Sequence, residues 1–455
     1  MTRRPALSAG GKSANSAAAN PAGPATLMLN SKLASDSVWS YAAFAVMAAS
    51  GLMLNILIGA RFGSTGLGVF SQVMAIFVIV SHFSAAGLHN AVFRAIALTP
   101  EAAGSVLRSA VAIALPFAVV TAGLVLLAAP LIGQMLDSPA TGTATLWMAP
   151  GILFFGLNKI GLAALNAATL MRRYAIGQML RYLAIGGVVA LLTFSDDGPE
   201  RLGACFTVAE ILVTLYLLVA TTPLRAANGT ASGALDMLRF GLRSTGAGLL
   251  TEMNLRIDTL MLGWYLSDRE VGIYAFAALL IEGLGNVAIV LRNLVNPYLT
   301  RLLSAGDGTA IRRMVMQVQL IAWPVVILAF VGAWLLFQPA VRLVVGSGDL
   351  ELALAPLLIL IALMAPYFTY AAFEETLMLA GHAGTQSVYQ LIATFANVAF
   401  NALLIPLLGI EGAALATGLA SLLACLLLIG TIYRVTGHLL LPHTDIRLLP
   451  LRKDR

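Results

Sequence analysis

Charge is what this chain has least of. Of its 455 residues, 11% are Asp, Glu, Lys or Arg and 59% are hydrophobic. A soluble domain carries about 25% charged residues, so less than half the charge needed to wet a globular surface is present. That excludes a large soluble enzyme, a disordered protein and a nucleic-acid module, despite a net charge of +6 and a pI near 9.5. Cysteine is nearly absent as well. Cys205 and Cys425 both sit inside apolar segments and offer neither a disulfide framework nor metal-ligand spacing; they read as small packing residues. No GxxxxGK[ST] phosphate loop occurs.

What is present is long apolar sequence, with a mean hydropathy of +0.89. The runs are continuous rather than alternating, which excludes a transmembrane β-barrel. At about 20 residues per crossing, twelve spans are counted, at 38–58, 68–90, 109–136, 143–169, 175–194, 203–222, 241–265, 271–297, 314–337, 353–379, 385–408 and 410–433. The expected fold is an all-α polytopic membrane protein. Residues 1–37, rich in Ala, Ser and Pro at their start and without an early apolar core, read as a disordered cytoplasmic tail and entry segment rather than a signal peptide. Residues 223–240 read as a central cytoplasmic linker and 434–455 as a second cytoplasmic tail.

Orientation follows from where Lys and Arg fall. With the N-terminus in the cytoplasm, twenty of the 27 lie on the cytoplasmic side, Arg181 counted among them. Four lie on the other side, Arg61, Arg201, Arg269 and Arg342, and Lys159, Arg256 and Arg292 fall inside spans. Both termini are therefore expected in the cytoplasm.

The chain also resembles itself. LIGARFGSTGLGVFS (57–71) returns as MLGWYLSDREVGIYA (261–275), so that a shift of 204 superposes Gly59 on Gly263, Gly68 on Gly272 and Phe70 on Tyr274. Trp-Met-Ala-Pro at 147–150 returns as Leu-Met-Ala-Pro at 363–366, which makes Glu375 the repeat-mate of Lys159. Spans 1–6 (38–222) and 7–12 (241–433) thus read as two pseudo-symmetric six-helix lobes. They form a parallel repeat about the membrane normal, around a central cleft.

Three blocks carry a family resemblance: ARFGSTGLGVFSQVMAIFVIVSHFSAAGLHNAVFRA (60–95), RIDTLMLGWYLSDREVGIYAFA (256–277) and NVAFNALLIPLLGIEGAALATGLA (397–420). In order and position they resemble bacterial polysaccharide-biosynthesis flippases of the multidrug/oligosaccharidyl-lipid/polysaccharide exporter superfamily. Twelve spans is the number usual for the O-antigen-type members. The resemblance implies a protein of the bacterial cytoplasmic (inner) membrane, serving lipopolysaccharide or exopolysaccharide synthesis. Its implied partners are a lipid-linked oligosaccharide, membrane lipids and, beyond these, a polysaccharide polymerase and chain-length machinery. No nucleic acid, no metal and no cofactor is expected, with H⁺ or Na⁺ as the coupling ion.

Nine charges inside spans carry the functional question: Lys159, Glu210, Glu252, Arg256, Asp258, Glu282, Arg292, Glu374 and Glu375. Each costs about 2.5–3.5 kcal/mol at a helix centre, so each is expected to face water or a partner. Lys159 reads either as a cleft cation that holds the lipid pyrophosphate or as the partner of a carboxylate in the other lobe, with Glu375 the candidate. Arg292 is a second phosphate candidate, because its fork binds bidentately. Glu282, Asn286 and Asn293 form a polar stripe expected to line the cleft, and Tyr367 and Tyr370 share a face with Glu374 on which sugars could stack. Arg61 sits at the outer mouth, where it either guides phosphate or anchors the interface. Glu252 and Arg256 have salt-bridge spacing, which leaves Asp258 to find another partner. Asp258, Glu282, Glu374 and Glu375 are the candidate ion-coupling or cavity carboxylates. Asn397 and Asn401 are expected to bond between helices. His82 and His89, seven apart, are expected on one helical face, where they could titrate.

Six acids against three cations is the wrong sign for a pyrophosphate cavity. That balance keeps a cation or drug antiporter of the same superfamily as the alternative to a flippase. An enzyme is disfavoured by the lack of any large connection to hold a catalytic surface.

Overall fold

A computed structural model describes residues 24–225, 227, 229, 233–346 and 348–437, and every regular element among them is helical. The basic residues expected in the tails (Arg3, Arg4, Lys12, Arg447, Arg452, Lys453 and Arg455) lie outside the described residues. The first half holds α1 (Pro24–Ala85), α2 (Leu88–Leu98), α3 (Ala103–Met135), α4 (Pro139–Ala167), α5 (Met171–Thr193), α6 (Ala204–Ala220) and the short α7 (Thr222–Arg225). The second holds α8 (Ala234–Tyr265), α9 (Asp268–Ala305), α10 (Gly308–Val344), α11 (Leu354–Tyr370), α12 (Thr376–Leu379) and α13 (Ala383–Thr436).

Nine helical segments among the described residues are long and apolar enough to span. Two of them are hairpins. At 1.5 Å per residue, the 62-residue α1 would run about 90 Å against a hydrocarbon core of about 30 Å. It turns back at Gly63, whose φ of 66° is open to glycine, so that a methyl on Gly66 would touch Ile58 at 3.4 Å. α13 turns at Gly409 in the same way, bringing Gly412 onto Leu404. Adding α8, made less apolar by Glu252, Arg256 and Asp258, gives the twelve crossings expected. Two boundaries differ from the expectation. α1 is already helical at Pro24, and α8 begins at Ala234 within the stretch read as linker. Hydropathy registers only the thickness of the bilayer, whereas both helices continue beyond it.

The connections rich in Lys and Arg collect on one side, here termed the basic face. Toward the opposite face a single apolar core joins both halves, with Leu67, Phe70, Met148 and Phe206 packed in one cluster with Leu262, Tyr274, Phe276 and Leu357. Toward the basic face the core divides. One cluster holds α2, α3, α4 and α6 around Ile96, Ile160 and Leu165, with Met237 of α8. The other holds α9, α10, α12 and α13 around Leu299, Ile311, Phe373 and Ile432. The two halves thus share one core toward the opposite face, whereas toward the basic face their clusters part into a wedge bridged by α8, which packs on α2 through Gly241 against Gly87 and Ser244 against Asn90 (3.2 Å).

The fusion has two-fold geometry. A methyl on Gly68 would strike the carbonyl oxygen of Asp268, and one on Gly272 would strike that of Ser64. The shift of 204 that relates Gly68 to Gly272 also relates Ser64 to Asp268. The same contact is thus made twice about the pseudo-two-fold. Within lipid, helices associate through close packing and hydrogen bonds rather than hydrophobic gain, and both occur here. Asp268 accepts from Gln72 (2.7 Å) and Ser138 (2.6 Å) of the first half. Asp349 accepts from Arg269 (2.7 Å) and from Ser64 (3.3 Å).

Candidate functional site

The first half supplies a tight polar cluster inside the bilayer. Glu210 of α6 is buried and receives both Arg181 Nε (2.5 Å) and Nη2 (3.2 Å) from α5. Asn158 of α4 adds an N–H at 2.8 Å and accepts from Thr214 at 2.9 Å. Arg181 thus belongs inside the membrane and not in the cytoplasmic count. It lies ten residues into its helix, too deep to snorkel, and its guanidinium stacks at 4.8 Å on Phe155. The same ring carries Lys159 Nζ at 5.6 Å, because residues four apart share a helix face.

Lys159 itself makes no ion pair among the described residues. The carboxylate whose charge reaches it is Glu252 of α8, on the other half of the molecule. Glu375 is not its partner, since that side chain accepts from Asn296 (2.6 Å) and lies 3.7 Å from Arg292. Removing one member of a buried pair leaves an uncompensated charge, at a cost of about 3–5 kcal/mol. Glu210→Ala should destabilise the protein by that order, while Arg181→Met with Glu210→Leu recovers most of the loss. Thermal unfolding in detergent measures both, and a Glu210→Ala protein as stable as wild type would contradict the pairing.

The second half is arranged by ion pairs that spacing alone did not anticipate. Arg256 reaches across to Glu282 of α9 at 3.1 Å rather than to Glu252 in its own helix. Arg292 of α9 donates through Nη1 to Glu374 at 2.8 Å and lies 3.7 Å from Glu375, so its charge is already paired with carboxylate. Asp258 accepts from Tyr274 (2.7 Å), from its neighbour's backbone N–H (3.0 Å) and from Thr417 (3.4 Å). Asn286 is half-buried, Asn293 is exposed, and neither makes a hydrogen bond among the described residues. Tyr367 packs edge-on to Phe368 at 6.1 Å, and Tyr370 lies against the second-half apolar cluster.

The structure also places Arg61, the two asparagines and the two histidines. Arg61 donates to the carbonyls of Thr193 and Ser195, both at 3.1 Å, and so caps the end of α5 at the face opposite the wedge. Asn397 and Asn401 bond to each other within α13 at 2.7 Å, not between helices. His82 and His89 do not share one helical face, because the chain breaks between them at Ala86 (φ 45°) and Gly87 (φ 65°).

With Arg181 included, the charges separate by half. The first half carries Lys159 and the Arg181–Glu210 pair, a net excess of one cation. The second carries five acids against Arg256 and Arg292. The acid excess that argued against phosphate therefore belongs wholly to one wall of the wedge.

A family model described as "Polysaccharide biosynthesis protein" matches residues 58–351. No curated protein matches the chain. Among solved structures, the lipid II flippase MurJ in an inward closed conformation matches at TM-score 0.68 and 16% identity, over 87% of both chains. An inward-facing multidrug resistance MATE transporter of the MOP superfamily matches at TM-score 0.68 and 13% identity, over 84% of this chain and 92% of that one. An outward-facing MATE transporter matches at 0.58 and 16% identity, over 87% and 93%. At such identities these likenesses establish the fold alone, that of a multi-pass membrane protein.

Proposed function

The chain belongs to the polysaccharide biosynthesis protein family, and from that premise we propose that it flips polyprenyl-pyrophosphate-linked oligosaccharide from the inner to the outer leaflet of the bacterial cytoplasmic membrane. The observation that carries this reading is Lys159, a cation without a carboxylate partner among the described residues, on the wall of a wedge that widens toward the basic face. In this reading the basic face is cytoplasmic, in keeping with the Lys and Arg count, and both termini lie there. The pyrophosphate rests against the first-half wall while the polyprenyl tail stays in lipid. Rocking of the halves about their fused end then exposes the headgroup to the other side. That a lipid II flippase shares the fold supports a lipid-linked substrate.

Coupling would fall to the acidic second half. Asp258, ringed by Tyr274 and Thr417, and the carboxylates Glu282, Glu374 and Glu375 are the groups that could take H⁺ or Na⁺ in exchange. No phosphate loop for ATP occurs in the sequence. The product leaflet is where a polymerase and chain-length machinery would collect the substrate.

Deleting the gene should strand sugar-loaded polyprenyl lipids on the cytoplasmic leaflet, read by profiling those lipids and by loss of surface polysaccharide. Normal surface polysaccharide in a clean deletion without a paralogue would refute the reading. The acidic second-half wall is the one observation that favours a cation or drug antiporter instead. Sensitivity to cationic dyes with intact polysaccharide would choose that alternative.

A further inference from the structure

The break between α1 and α2 holds a group of nitrogens for which the protein offers no partner. His82 is buried, 6% exposed, and its Nε2 makes no hydrogen bond; the buried Nδ1 of His89 makes none either. Both imidazoles lie within electrostatic reach of Lys159, which itself makes no ion pair among the described residues. The packing explains the proximity. Ser84 Oγ donates to the carbonyl of Ile152 at 2.8 Å, and a methyl on Gly156 would meet the Ser84 carbonyl at 2.9 Å. This stretch of α1 is therefore pressed onto α4 less than one turn before Lys159.

The backbone is unusual at the same place. Ala86 is one of three non-glycine residues with positive φ among those described, and the other two, Asp137 and Thr169, lie in turns between helices. Ala86 adopts its conformation in the turn between α1 and α2, where it costs stability, and strain of this kind recurs at binding sites. The break starts a new eleven-residue helix, α2, whose N-terminus has no side-chain cap. A helix N-terminus carries partial positive charge and favours anions. A buried nitrogen without a partner is costly, and here two occur beside an unpaired ammonium. Neutral imidazole carries an N–H on one ring nitrogen, so both rings can donate without taking up a proton.

We propose that this break is a phosphate site, in which His82, His89, Lys159 and the first turn of α2 hold one phosphate group of the substrate. The inference rests on the flippase reading and extends it, by naming two histidines that the span charges did not include. Glu252 opposes the site from α8. Its charge weakens anion binding now, and its approach as the halves move would help expel the phosphate.

The test uses the full chain, purified in detergent or in nanodiscs and titrated with inorganic pyrophosphate or with polyprenyl pyrophosphate. Binding is followed by the rise in melting temperature. Wild type should bind at least one of the two probes. The variant His82→Leu with His89→Leu should bind about tenfold or more weakly, the worth of hydrogen bonds to a charged group, and Glu252→Gln should bind more tightly. Binding of the lipid probe alone would identify the headgroup as the source of the phosphate, and binding of both would admit the free anion. Should the double variant fail to fold, His89→Gln, at the half-buried ring, gives the same readout. Histidine variants that bind both probes as wild type does would overturn the site, as would a wild type that binds neither. Histidine variants that neither bind nor flip, in a strain whose deletion strands sugar-loaded lipids, support site and reading together. Binding that depends on the histidines in a protein whose deletion leaves polysaccharide intact supports the site and refutes the flippase reading.

Discussion

Lys159→Ala should abolish flipping while leaving the amount of protein in the membrane unchanged. The separation of these two outcomes follows from the pairing. Lys159 has no carboxylate within ion-pair distance among the described residues, so its loss orphans no buried charge and removes a group that is itself costly in lipid. In the proposed function, what is lost is the charge-assisted contact to phosphate. Such contacts are worth about 1.5–3 kcal/mol, or roughly 10–100-fold in substrate affinity, and more if the contact strengthens as the headgroup crosses. Lys159→Arg should keep part of the activity, since charge survives but geometry changes. Exchanging Lys159→Glu with Glu375→Lys should not rescue, because Glu375 belongs to Asn296 and Arg292. Wild-type flipping by Lys159→Ala, or rescue by the exchange, would refute this account.

Gly68→Ala and Gly272→Ala should each shift the protein toward the state open at the face opposite the wedge, and by similar amounts. The added methyl would occupy the position of a backbone carbonyl oxygen, of Asp268 in one case and Ser64 in the other. Backbone cannot rotate aside as a flexible side chain does. Overpacking of this kind costs about 1–3 kcal/mol, charged only to the state in which the halves are fused, so the equilibrium should move roughly 5–150-fold. Labelling of Asn286→Cys by a membrane-impermeant maleimide applied from that face measures the shift. The native Cys205 and Cys425 are buried and remain silent. Equal labelling with and without the methyl would show that the glycines do not hold the halves together. A change at only one of the two would show that the contact is not symmetric in energy.

Much of the architecture could be read from residues alone, because lipid imposes it. The length of apolar runs reports bilayer thickness, and the shift of 204 reports duplication. The shift pairs Gly68 with Gly272, but that the two glycines form the contact between halves, against Asp268 and Ser64, appears only in the fold. The site was legible only as an inventory. Glu252 and Arg256 have ideal intrahelical spacing, yet Arg256 turns to Glu282, because the neighbouring helix offers a carboxylate that spacing along one chain cannot reveal. Arg181 falls within 175–194 yet sorts with the cytoplasmic charges until Glu210, on the neighbouring helix, shows that it is held inside the bilayer. His82 and His89 were assigned one face on the assumption of continuous helix. Ala86 gives no sign of the break, and Gly87 alone is a weak one.

The layered core has an electrical consequence. In the proposed function, a wedge lined with charge fills with water from the basic face and conducts as that solution does. The membrane voltage therefore falls across the thin fused layer between Gly68, Gly272, Asp268 and Asp349, and not across the full bilayer. Lys159 and the second-half carboxylates, except where that layer begins, stand near the potential of the basic side. In the proposed function, a phosphate held there feels little of the field. Each charge it carries across is worth about 2.3 kcal/mol per 100 mV, and in this geometry that energy is exchanged at one moment, when the fused layer parts.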